Sequence, residues 1–98
     1  GQPDQVVVKR IKAIYPKMEV SGSDNTVNVY VGTQMSTEEA VTWTSAYTFN
    51  PDTQSKVSVR ASGKLYGVKF ESTGDFDWRL DGYSIELDDA GSRGSQSY

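Results

Sequence analysis

Between Lys64 and Leu87 the apolar positions follow a strand rhythm that changes phase once. Tyr66, Val68 and Phe70 fall on one side of an extended chain, and Gly67, Lys69 and Glu71 on the other. Period-two alternation marks a strand with one buried face. Ser72-Thr73-Gly74-Asp75 interrupts it with turn residues. Beyond the turn, Trp78 and Leu80 share the even phase, whereas Tyr83, Ile85 and Leu87 share the odd phase. A one-residue slip reverses every side chain of a strand, so a regular strand cannot bury both sets. One extra residue at Asp81-Gly82, with Gly82 at positive φ, would return both sets to one side as a β-bulge. The stretch 65–87 therefore reads as two strands joined by a turn, the second bent at Gly82. Trp78 and Tyr83 are expected in the core.

Upstream, Val7, Ile11, Ala13 and Tyr15 share one face, interrupted by Lys9, while Val6, Val8 and Ile14 are apolar on the other. This reads as one long strand, with or without a bulge, its N-terminal part covered on both faces. Pro16 has no N–H to give and is expected to end the ladder, with Met18 and Val20 a short continuation. After the turn residues Ser21 to Asn25, Val27, Val29 and Val31 point inward, and Asn28 and Tyr30 outward. Three valines in register favour the pleat over a helix.

Ser36-Thr37-Glu38-Glu39 has capping-box spacing. The β rhythm returns at Val41, Trp43, Tyr47 and Phe49, so at most one short helical turn fits near 36–40. This odd-phase set, Trp43 included, is expected inward. Asn50-Pro51-Asp52-Thr53 is a turn with proline at its second position. Val57, Val59 and Ala61 form a further inward set, and Ser62-Gly63 turns the chain into the stretch 65–87.

About six to eight short strands separated by turns predict an all-β antiparallel sandwich. Jelly-roll and immunoglobulin-like orders both fit. The chain of 98 residues reads as a single domain over 1–90 with a flexible C-terminal tail over 91–98.

Composition narrows the chemistry. There is no cysteine and no histidine, which removes disulfides, thiolate zinc sites and histidine-based triads. Net charge is −3 and pI about 4.8, against a nucleic-acid footprint. No apolar run is long enough for a membrane-crossing helix. Glu38 and Glu39 belong to the cap, Glu71 and Glu86 point outward, and no glycine-rich phosphate loop precedes a helix. No catalytic residue and no cofactor can be named, and the chain is not expected to be an enzyme.

Two features remain as candidate chemistry. Tyr30 stands out of phase with the valines and beside Asn28, an arrangement that suits a sugar platform, an interface anchor or an ordinary cross-strand pair. Asp75, Asp77 and Asp81 are close in sequence and are weak candidates for a metal. They lack the spacing of an EF-hand loop and are too few for calcium, which takes about six to eight oxygens.

Two segments carry a resemblance: Ala61-Ser-Gly-Lys-Leu-Tyr-Gly-Val-Lys-Phe-Glu-Ser-Thr-Gly74 and Trp78-Arg-Leu-Asp-Gly-Tyr-Ser-Ile-Glu-Leu87. They resemble the C-terminal β-rich domain of virion structural proteins of tailed bacteriophages, the tail and neck components. There a Ser-Gly-basic turn opens an aromatic-rich strand, and a close of the form Trp-Arg-Leu-x-Gly-Tyr follows. Gly32 to Trp43 fits the same picture less distinctively. Gly67 departs from it, standing where a β-former is expected. The resemblance implies a non-enzymatic structural or assembly domain in the virion, made in the bacterial host cytoplasm. Its implied partners are other virion proteins in a symmetric ring, with no nucleic acid or membrane. The second half also resembles the end of discoidin-type jelly rolls, as architecture only. The alternative expectation is a module recognising a host cell-surface glycan, which an exposed Trp43 or Trp78 would favour.

Overall fold

The structure is a computed structural model that describes residues 8–89. The expected tail and the apolar positions Val6 and Val7 lie outside the described residues. Seven strands follow in order: β1 (Lys9–Val20), β2 (Val27–Gln34), β3 (Thr42–Trp43), β4 (Tyr47–Phe49), β5 (Val57–Gly63), β6 (Leu65–Ser72) and β7 (Trp78–Asp89). All pairings are antiparallel, in a three-stranded sheet of order β5-β1-β7 and a four-stranded sheet in which β3, β4 and β6 all pair with β2. Among the described residues there is no helix. The two sheets pack as an all-β sandwich.

At residues 36–39 the chain makes one turn, with the Glu39 N–H on the Ser36 carbonyl at 3.3 Å. The Glu39 carboxylate reaches back to the Met35 N–H at 3.2 Å, and the Ser36 hydroxyl accepts the Glu38 N–H at 3.3 Å. These bonds satisfy the turn locally, and the chain then leaves it for β3.

The core is aliphatic. Val27, Val29 and Val31 of β2 face Ile11 and Ile14 of β1 and Val57 and Val59 of β5, with Phe49 closing one end. Burying such a side chain is worth about 1.5–3 kcal/mol each. The alternation of β2 explains its position: its inward residues are fully buried, while Asn28 and Tyr30 stand on the opposite face.

Two features of the β1–β7 ladder decide which side chains reach this core. Gly82 pairs with Lys17 and Leu80 with Met18, so Asp81 is the extra residue of a bulge, and Gly82 has φ 153°. Because of that slip, Trp78, Leu80, Tyr83, Ile85 and Leu87 lie opposite Val20, Met18, Pro16, Ile14 and Ile11 and share the inward face. The second feature corrects the expectation at Pro16. β1 continues through it to Val20, with Pro16 opposite Tyr83. The reason is that β5 pairs no further along β1 than Ile14. Among the described residues that side of β1 is an edge from Tyr15 onward, and a residue without an N–H breaks no ladder there.

β6 and β7, though joined by a short turn, belong to different sheets. Each has one unpaired side among the described residues, and the two free edges meet across the sandwich where Phe70 and Tyr83 place their ring centroids 5.6 Å apart. The inward face is therefore incompletely covered here. Trp78 is half-buried and packs on the core as expected. Tyr83 corrects the expectation of a core residue: it points inward but remains 43% exposed, with Tyr66 at 40% and Leu87 at 37%, because among the described residues no strand lies beyond β7 or β6 to cover them.

Candidate functional site

The outer face of the four-stranded sheet carries the exposed Trp43 and the partly exposed Tyr30. On β2 and β6 the outward rows are Asn28 opposite Glu71, Tyr30 opposite Lys69, Gly32 opposite Gly67 and Gln34 opposite Leu65. Trp43 of β3 extends the glycine row, since it lies opposite Gly32 on the other side of β2.

This position corrects the inward expectation for Trp43, which is 45% exposed. The cause is a one-residue slip between β3 and β4. Trp43 pairs with Gly32, an outward position, whereas Tyr47 pairs with Val29, an inward one. The segment 44–46 between them is not strand. Thr44 holds the slip: its N–H donates to the Val31 carbonyl at 2.9 Å, and its hydroxyl oxygen accepts the Val31 N–H at 3.1 Å. That hydroxyl in turn donates to the Ser45 carbonyl at 2.8 Å. One threonine thus takes both backbone groups of Val31, and the odd-phase residues on its two sides face opposite ways.

The indole of Trp43 rests on Gly32, and Val41 lies beside it. The ammonium of Lys69 stands 4.8 Å from the Trp43 ring and 4.6 Å from the Tyr30 ring, a cation held by two aromatic groups. Such contacts contribute about 0.5–1 kcal/mol each at exposed sites. Lys69 forms no ion pair among the described residues. The Tyr30 hydroxyl donates to Glu71 Oε1 at 3.0 Å, and that bond, with the charge of Glu71 behind it, raises the Tyr30 pKa above its ordinary value. Asn28 acts in the opposite sense and more weakly. The two residues singled out from sequence, Asn28 and Tyr30, therefore share one face with Lys69, Glu71 and Trp43. Sequence reasoning passed over Lys69 because an outward lysine on a strand is ordinary.

Next to Trp43 a groove of about 220 Å³ is lined by Gly32, Gln34, Val41, Leu65, Tyr66 and Gly67. It is smaller than the roughly 300–1,000 Å³ of drug-sized ligand pockets, and offers room for one ring-sized group. A Cβ on Gly67 would meet nothing within 4 Å, so the floor of the groove is open sheet backbone. A larger groove on the other sheet is lined by Arg10, Lys12, Arg60 and Asp88. There Arg10 is paired with Asp88 at 3.1 Å and Lys12 with Glu86 at 3.9 Å.

Asp75, Asp77 and Asp81 are all exposed and do not converge. Asp81 takes the Arg79 guanidinium at 2.9 Å, and the Asp77 backbone is tied to Ser21. Among the described residues no group of three or more acidic, histidine or cysteine side chains is placed to hold a metal ion. Also among them, no helix is long and apolar enough to cross a membrane.

The chain matches no protein-family model and no curated protein.

Proposed function

We propose that the chain is a non-enzymatic structural domain of a tailed-phage virion, joining neighbouring tail or neck proteins by protein–protein contact, in a ring of repeated copies. The observation that carries this reading is the open side of the sandwich. Two strand edges unpaired among the described residues lie together there, and between them Tyr66, Tyr83 and Leu87 stay about 40% exposed although they point inward. Unpaired edges offer backbone hydrogen bonds to an added strand, and half-covered apolar side chains supply the contact area beneath it. Contacts repeated around a ring add by avidity, so each can be weak. The resemblance of residues 61–87 to virion proteins supplies the setting, and β6 and β7 are the strands those residues form.

The test is the composition of purified virus particles. The reading requires the chain to be a constituent of them, in several copies, and requires Tyr83→Glu to exclude it while leaving the free domain folded. Particles that lack the chain would refute the proposal.

A second reading is favoured by one specific observation, the exposure of Trp43. With Tyr30 and Lys69 beside it, the outer sheet face has the aromatic and polar groups that recognition of a host surface glycan needs. The two readings use surfaces that share only Tyr66 at their border and are separable by mutation: Tyr83→Glu addresses the open side and Trp43→Ala the outer sheet face.

A further inference from the structure

We propose that the groove beside Trp43 binds an acidic sugar residue, its pyranose ring on the indole and its carboxylate on the Lys69 ammonium. This rests on the glycan reading above and names the ligand class for it. Three features specify the occupant. The groove volume of about 220 Å³ fits one ring rather than an extended chain. The floor is at Gly67, where a Cβ would meet nothing within 4 Å, so a flat ring can approach the backbone closely beside the indole that covers Gly32. The charge is the third. Lys69 is fixed within 5 Å of both rings, at 4.6 Å from Tyr30 and 4.8 Å from Trp43, and forms no ion pair among the described residues. The neighbouring acid, Glu71, is occupied by the Tyr30 hydroxyl. An exposed cation lying against two aromatic rings, with no carboxylate at ion-pair distance among the described residues, complements an anion. A neutral sugar would stack on the indole and leave that cation unused.

The experiment follows the indole N–H of Trp43, and in every variant the backbone amides of residues 32 and 67, by NMR during titration with oligogalacturonate and, in parallel, with the neutral galactose oligomer of the same length. Titrations run to about 10 mM, where contacts of this size still register. The expected result is saturable binding of the acidic oligomer, weakened by salt and abolished by Trp43→Ala. Lys69→Gln should weaken it about fivefold, the scale of one exposed charge pair. Gly67→Val is the second variant. It fills the floor without touching Trp43 or Lys69, a β-branched residue suits that strand, and it should block binding in a folded domain. Equal binding of the two oligomers, unchanged by Lys69→Gln, would overturn the acidic assignment and leave the glycan reading standing. No shift with either oligomer would overturn both. A proline-rich peptide or a second copy of the chain perturbing the Trp43 signal in place of the sugars would likewise overturn them, making this face a protein interface.

Discussion

Trp43 lies on Gly32 without room for a methyl group between them. A Cβ built on Gly32 falls 2.9 Å from Trp43 Cε3 and Cζ3, and 2.7 Å from Val41 Cγ1. The indole therefore sits on the backbone of β2 itself, and its height above the sheet is set by a missing side chain.

Gly32→Ala should displace the indole rather than unfold the domain. Trp43 and Val41 are both exposed and can swing outward. Replacing a strand glycine by alanine recovers about 0.5–1 kcal/mol, which offsets part of the disturbance. The net change in stability should stay within about 1 kcal/mol, on the scale of a tolerated repacking. The Trp43 emission should shift to the red, and the ring-current shifts on the Lys69 side chain should diminish. A variant with an unmoved Trp43 signal would show that the indole does not rest where the structure has it.

The sandwich and the bulge at Gly82 were legible in the sequence, while the place of Trp43 was not, and the difference is physical. The bulge leaves a trace in the pattern, because long apolar sets on either side of Asp81-Gly82 carry opposite phases. The slip at Thr44 leaves none. Trp43 and Tyr47 keep the same parity, and the reversal comes from hydrogen bonds between Thr44 and Val31, a contact distant in sequence. With β3 only two residues long, there was no rhythm to betray it. Pro16 was misjudged for a similar reason. Whether a proline ends a strand depends on how far the neighbouring strand runs, and that is a fact about β5. Asn28 and Tyr30 could be placed on an outward face by alternation alone, but their neighbours Lys69 and Trp43 arrive from other strands.

Two glycines with no neighbour at the Cβ position should respond in opposite directions. Neither Gly67 nor Gly82 has any atom within 4 Å of a built Cβ, yet Gly82 has φ 153°. Gly67→Ala should stabilise the domain by about 0.5–1 kcal/mol, since only unfolded-state freedom is lost. Gly82→Ala should destabilise it by about 1–3 kcal/mol through backbone strain. Urea unfolding of the two variants gives the sign directly. A stabilising Gly82→Ala would mean that the bulge relaxes into regular pairing, which would turn Trp78 and Tyr83 to opposite faces.

Tyr30 should titrate above the ordinary tyrosine value, and Glu71→Gln should bring it down. The hydrogen bond to the Glu71 carboxylate favours the protonated phenol. A group whose pKa is raised on folding contributes its stabilisation in full below the unfolded value, about 10 for tyrosine. That contribution is lost as the pH rises through the raised folded value. The expected effect is confined to alkaline conditions, with no change near neutrality. Carbon NMR of labelled tyrosine resolves Tyr30 from the other five of the chain's six. A Glu71→Gln variant with the same Tyr30 titration would remove this hydrogen bond as the cause.

Thr44→Val tests the device that turns Trp43 outward. Valine matches threonine in shape but cannot accept the Val31 N–H, which this hydroxyl takes at 3.1 Å. Val31 is fully buried, so an orphaned N–H there should cost about 1–3 kcal/mol. The Val31 carbonyl keeps its bond to the residue 44 backbone, so β2 should remain paired. Freed of the hydroxyl, the segment 44–46 can exchange registers, and a one-residue shift would bring Trp43 toward the inward face, where the valines leave no space for an indole. The domain should instead populate several positions of β3, seen as broadened Trp43 resonances and faster hydrogen exchange at Gly32 and Thr33, the residues paired with it. Thr44→Ser keeps the hydroxyl and should restore sharp resonances. If Thr44→Val left Trp43 sharp and Gly32 protected, the slip would have to be held by the backbone bond alone.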